Sequence, residues 1–249
     1  MATWILLRGL SREARHWGGF PALLRAQFPG AELVALDLPG NGALHRLSSP
    51  LSIEPMVEFC RQQLAARGAA PPYHVLGLSM GAMVAAAWGT LHAQELSGCV
   101  LINSSLRWLD PFYRRLRLGA YPDLLALLGG NAERQERAVL RLTSNRTDAL
   151  EGVLDAWLAY RRECPVSRSN VLRQLIAAAR YRAPERRPAP RVLVLASAQD
   201  ALVNPVCSQH LAVHWNAPIA VHPSAGHDLP LDDAAWVAAR VGDWLACRA

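Results

Sequence analysis

Apolar residues in this chain fall in short runs, and longer stretches of helical spacing separate them. Residues 4–7, 33–36, 73–78, 98–103, 191–196 and 219–222 read as strands bounded by Gly, Pro, Asn and Asp. Residues 17–28, the run to about 66, 81–91, 205–215 and 234–245 read as helices. Ser52 is the expected N-cap of the helix that follows it, with Pro55 in its first turn. The last helix should bury Trp236, Val237, Val241, Trp244 and Leu245 on one face. Strands alternating with helices predict an α/β chain with a mostly parallel, doubly wound sheet.

The alternation stops between 105 and 187. Segments 121–128, 132–142, 148–161 and 169–181 have helical spacing, and almost nothing there reads as strand. The expected organisation is a core from 1–104 and 188–249 with a helical cap, 105–187, inserted after the fourth strand. The blander alternative is an extra helical layer with no part in any site.

Composition narrows the picture. The 249 residues are 51% hydrophobic, enough for one large core. No uninterrupted apolar run reaches about 18 residues, so no membrane span is expected. The N-terminal run lacks the basic and cleavage features of a signal peptide and reads as the first strand. Five dispersed cysteines, Cys60, Cys99, Cys164, Cys207 and Cys247, suggest isolated thiols in a reducing cytoplasm rather than disulfides or a zinc cluster. All 26 basic residues are arginine. Between 105 and 190 there are 16 arginines and 9 acidic residues, a net of +7, whereas the remainder (10 basic, 11 acidic) is at −1. This concentrated charge could steer an anionic substrate or partner. Nucleic-acid binding is not expected, because no reader motif or aromatic-interleaved basic face accompanies it.

The chemistry centres on Gly77-Leu78-Ser79-Met80-Gly81. A G-x-S-x-G run between a strand and a helix exposes a serine nucleophile on a strained turn. Serine needs a histidine base, and the histidine needs an acid to hold its tautomer. On a parallel sheet such groups collect at the C-terminal strand ends. Asp200 follows the strand 191–196 and is the expected acid; Asp37 precedes the serine and reads as a loop-structuring residue. Of eight histidines, His227 lies in the loop after the last strand and is the expected base, with His222 as its competitor. His16, His92, His210 and His214 fall in helical segments and read as surface or packing residues. The backbone N–H groups of Met80 and Leu10 are the expected oxyanion donors.

These residues together resemble the α/β-hydrolase superfamily, over essentially the whole chain, and in particular its capped bacterial carboxylesterase branch. Leu6-Leu7-Arg8-Gly9-Leu10 matches the oxyanion loop, with Arg8 standing where that branch often has histidine. Trp17 matches a frequent tryptophan, Asp37-Leu38-Pro39-Gly40-Asn41-Gly42 a D-x-P-G-x-G loop, and Gly226-His227 the histidine loop. The resemblance implies a sheet reduced to about six strands, a cap, and no metal or organic cofactor. It implies a serine hydrolase of small or medium-sized carboxylic esters, acting through an acyl-enzyme. The arginines tilt the expected substrate toward a short or polar ester, anionic ones included. The alternatives are a thioesterase or carbon–carbon bond hydrolase with the same triad, and a catalytically weak ligand receptor or signalling member of the fold. Trp108, Tyr113, Arg114, Trp157 and Arg161 are the cap residues that could face the site.

Overall fold

The computed structural model describes residues 2–126, 129–146, 150–182 and 184–247. Its strands are β1 (Thr3–Leu7), β2 (Glu32–Leu36), β3 (Tyr73–Leu78), β4 (Leu96–Ile102), β5 (Val192–Ser197) and β6 (Ile219–His222). All pair in parallel, in the order β2-β1-β3-β4-β5-β6. The six expected strands are therefore present, with ends moved by a residue or two. From β1 the chain steps outward to β2, then returns across β1 to β3. The order reverses between β1 and β3, where an open parallel sheet leaves a crevice at its C-terminal edge.

Alternating strand residues face opposite layers. Ile5, Leu7, Val75, Cys99, Leu101 and Val194 pack beneath α2 (Glu54–Ala66) and α3 (Met80–Leu91). Trp4, Leu6, Leu76, Val100 and Leu195 pack beneath α1 (Phe20–Gln27) and, at the end of the chain, the helix Ala234–Ala246. Each fully buried aliphatic side chain contributes roughly 1.5–3 kcal/mol. The alanine-rich α3 is buried over almost its whole length, because small side chains let it lie close to the sheet. Helix α2 begins after buried Ile53, which occupies the cap position; Ser52 does not cap it.

Between β4 and β5 the chain forms α4 (Phe112–Arg115), α5 (Tyr121–Ala126), α6 (Ala132–Thr143), α7 (Leu150–Glu163) and α8 (Arg168–Arg180). The expected helical positions 127–128 and 148–149 lie outside the described residues. Asn131 and Ser167 cap α6 and α8 by accepting from the N–H of Arg134 and Asn170. Polar contacts pin α8 to the loop after β2. Asn170 accepts from the Ser49 N–H, and Gln174 donates to Asn41 Oδ1 and Ser49 Oγ. After β5 come α9 (Pro205–His214), α10 (Leu229–Asp232) and α11 (Ala234–Ala246). Val237, Val241 and Trp244 of α11 are buried as expected, while Trp236 and Leu245 are only partly so. No helix among the described residues is long and apolar enough to cross a membrane.

Candidate active site

Ser79 sits where β3 turns into α3, with φ +56° and ψ −115°. Holding a non-glycine residue there costs of order 1–3 kcal/mol. The Ser79 N–H donates to Ile102 O at 2.8 Å, and Ser104 Oγ donates to Ser79 O at 2.9 Å, which fixes the turn from the neighbouring strand. The flanking glycines are required sterically. A Cβ on Gly77 would overlap the Gly81 carbonyl, and one on Gly81 would overlap the Leu7 carbonyl.

Asp200 and His227 converge on the same edge from β5 and β6. Both are buried, and His227 Nδ1 lies 2.7 Å from Asp200 Oδ2. The other carboxylate oxygen, Oδ1, accepts from the N–H groups of Leu202 and Val203 at 2.8 Å each. Asp200 is thus oriented by backbone donors, and the His227 ring by Asp200. Burial pulls the His227 pKa down. The charge and hydrogen bond of Asp200, helped by Asp228, outweigh it, and the net direction is above 6.5, while Arg8 acts downward. His222 plays a different part. Its Nδ1 accepts from the N–H groups of Ser224 and Ala225, and Nε2 lies 3.3 Å from Asp233, so it builds the turn before His227. Asp37 accepts from Ala14 and Ala43, the loop-structuring role read from its context.

Ser79 and His227 line one cavity of about 520 Å³, together with Leu10 from the loop after β1. Among the described residues, the Leu10 and Met80 N–H groups have no hydrogen-bond partner. Met80 is the first residue of α3, where backbone donors and the helix dipole favour negative charge. Most of the exposed wall surface is apolar, and the lining also includes a charged group. Arg12 and Arg161 both donate to buried Glu136, at 2.8 and 3.0 Å, and Arg12 stacks on Trp157. No cluster of potential metal ligands occurs among the described residues.

The sequence of this chain matches the model of the alpha/beta hydrolase family over residues 4–240. The chain belongs to this family. No curated protein shows significant sequence similarity to it. Solved structures similar to this alpha/beta hydrolase include Rv0554 from Mycobacterium tuberculosis, at 23% identity and TM-score 0.76, covering 100% of this chain and 91% of that one. The enol-lactonase from Burkholderia xenovorans LB400 is 17% identical with TM-score 0.74, covering 99% and 92%. A thermophilic esterase from Thermogutta terrifontis is 17% identical with TM-score 0.73, covering 98% and 89%. At these identities the likeness shows the shared fold.

Three features of this alpha/beta hydrolase's site escaped the sequence reading. Arg8 is 2% exposed and forms a two-pronged ion pair with Asp228, the residue after His227: Nη1–Oδ1 3.0 Å and Nη2–Oδ2 2.5 Å. Asn103, in a left-handed conformation after β4, donates to Ser197 Oγ and His227 O and accepts from the Ser197 N–H. A polar residue at a central strand end was the available signal. His16, read as a surface or packing residue, is buried against Trp157 and Tyr160 and also lines the cavity. Burial and the charges of Arg12 and Arg8 drive its pKa far down, so it stays neutral. Of the cap residues expected to face the site, Arg161 does line the cavity and Trp157 is buried beneath Arg12. Trp108 and Tyr113 are exposed, and with Arg114 they lie outside the cavity lining; their segment turns only Leu116 inward.

Proposed function

We propose that the chain is a serine-dependent carboxylic-ester hydrolase. One observation carries the reading: a serine on a strained strand-to-helix turn shares a cavity with a buried histidine held by a buried carboxylate. In this mechanism His227 takes the Ser79 proton as Oγ attacks the carbonyl carbon. The oxyanion is stabilised by the N–H groups of Leu10 and Met80, each worth about 3 kcal/mol in comparable sites. His227 then protonates the departing alcohol. Water, deprotonated by His227, releases the acid and restores Ser79. Asp200 keeps the imidazole in its working tautomer and stabilises its charged form.

The cavity suits a medium-sized ester with an apolar chain, because Leu10, Leu116, Leu142, Val171, Leu172 and Leu202 form much of its wall. Arg12 and Arg161 are already committed to Glu136 and do not by themselves call for an acid. A second reading, an ester carrying a carboxylate, is favoured by Arg168. It lines the same cavity and has no acidic partner among the described residues. In both readings the segment 105–187 acts as a cap that walls the cavity.

A panel of aryl esters and thioesters varying in chain length and charge tests this. A burst of product, lost in Ser79→Ala, is the expected result, with neutral medium-chain esters turned over fastest. Unchanged turnover in Ser79→Ala would refute the mechanism. Ligand binding without turnover or covalent adduct would make the chain a receptor.

A further inference from the structure

The stretch 107–121 is built unlike the rest of the surface. Trp108, Phe112 and Leu118 are 61%, 70% and 62% exposed, and Tyr113 and Tyr121 are exposed beside them. Apolar side chains scattered singly over a surface are ordinary, whereas a run of them rimmed by charge marks an interaction site. The same stretch carries Arg107, Arg114, Arg115 and Arg117 against one acid, Asp110, whose side chain is fully buried on His210. Arg114 lies 4.0 Å from the same carboxylate, and Arg115 and Arg117 bond backbone carbonyls, so the stretch keeps a net positive charge with Arg107 free of an acidic partner among the described residues.

The apolar surface continues into the cavity mouth. Arg115 donates to the carbonyls of Ala178 and Ala179, and the Arg107 N–H to Tyr181 O, so the stretch runs along the C-terminal half of α8. On α8, Leu172 and Leu175 are exposed and line the cavity that holds Ser79, as does Leu116 from the stretch itself. At the far side the Trp108 ring lies 5.6 Å from His214, next to Val213, the most exposed of the large apolar residues described.

Aromatic side chains and arginine are common at protein interfaces as well, so composition alone does not choose the occupant; the surplus of positive charge, and the position beside the cavity that holds Ser79, favour lipid. Here Arg107 and Arg114 stand among exposed aromatic and leucine side chains, with Arg115 and Arg117 drawn to backbone carbonyls. That mixture matches the headgroup level of a bilayer, where rings sit at the acyl boundary and arginines meet phosphate. We propose that this face docks on an anionic lipid surface, with the cavity mouth turned toward the lipid. Docking of this kind needs no catalysis, so it stands or falls apart from the ester reading.

The test is flotation of the full chain with vesicles of phosphatidylcholine alone, or of phosphatidylcholine and phosphatidylglycerol in equal amounts. Wild type and Ser79→Ala should both float with the mixed vesicles, and added salt should weaken this. Each arginine near an anionic surface strengthens binding about five-fold. Arg107→Gln should thus bind mixed vesicles several-fold more weakly, and Phe112→Ser with Leu118→Ser at least as much. Both variants should keep wild-type turnover of a water-soluble aryl ester if the fold is intact and the ester reading holds. Circular dichroism reports the fold if it does not. Three results overturn the proposal: no flotation of wild type; flotation unaffected by Phe112→Ser/Leu118→Ser, with equal retention on polyglutamate; or a concentration-dependent dimer in sedimentation that these substitutions abolish. The second shows a surface that attracts by charge alone, and the third a self-association face.

Discussion

The Arg8–Asp228 pair ties the loop that offers the Leu10 N–H to the loop that carries His227, and its removal has calculable consequences. Both side chains are almost wholly buried, and the Arg8 guanidinium also lies over Trp17 at 4.9 Å. Breaking a buried pair by deleting one partner leaves an uncompensated charge and costs about 3–5 kcal/mol, whereas replacing both is often near neutral. Arg8→Met and Asp228→Asn should each lower the melting temperature by about 10 °C, from about 2–4 °C per kcal/mol in a chain of this size. The double variant should recover most of that loss. The effects on His227 have opposite signs. Asp228 raises its pKa and Arg8 lowers it, so Arg8→Met should move the acid limb of kcat/KM to higher pH and Asp228→Asn to lower pH. In the double variant the limb should return near the wild-type position. Urea unfolding and kcat/KM against pH with a neutral aryl ester measure both. Coupling below about 0.5 kcal/mol in the double-mutant cycle, the range expected of independent sites, would refute the reasoning. So would acid limbs that move in the same direction.

Other consequences follow from the same geometry. Asn103→Ala removes the donor to His227 O and the acceptor of the Ser197 N–H, and should destabilise the chain by about 1–3 kcal/mol in urea unfolding; kcat should fall more than KM rises, because the proposed base is misplaced. Gly81→Ala forces a methyl group into the Leu7 carbonyl and should abolish soluble folded protein, read by circular dichroism; a wild-type melting curve would contradict the elbow geometry. Glu136→Gln releases Arg12 and Arg161 and should raise kcat/KM for a carboxylate-bearing ester relative to its neutral analogue by about ten-fold, the equivalent of 1.4 kcal/mol. Because the folded pKa of His227 is raised, its contribution to stability is complete below about 6.5 and is lost as pH rises through the folded value; Asp200→Asn should flatten that part of the stability profile.

The sheet was legible because each strand is a short apolar run closed by turn residues, and burial on both faces leaves such runs few alternatives. That Ser79, Asp200 and His227 would meet at one edge was legible for a related reason. Each follows a strand, and parallel strands bring their C-terminal ends to one edge whatever the side chains are. What the sequence withheld was pairing across the fold. Arg8 and Asp228 are 220 residues apart, and nothing local to either indicates a partner. Asn103 looked like the last residue of a strand, and only its left-handed backbone turns its amide toward both β5 and the histidine loop. The helical segment was the least legible part. Spacing locates helices but not the direction in which short ones point, so Trp108 and Tyr113 could be read as facing inward when they are exposed.

Arg8 connects these levels. Where the family resemblance leads one to expect histidine after β1, this chain has a residue too long and too strongly charged to be buried without an acid. The acid it meets is Asp228, adjacent in sequence to His227, so substituting one end of the crevice constrains the other. The two charges act on His227 in opposite directions, and as a pair they leave Asp200 as the main influence on its protonation apart from burial. In the proposed mechanism, an arginine at position 8 therefore calls for an acid at 228 to balance its effect on His227. Changing Arg8 to the histidine of the resemblance should be harmful by itself and tolerated once Asp228 is neutralised, a dependence that melting temperature and the acid limb would both register.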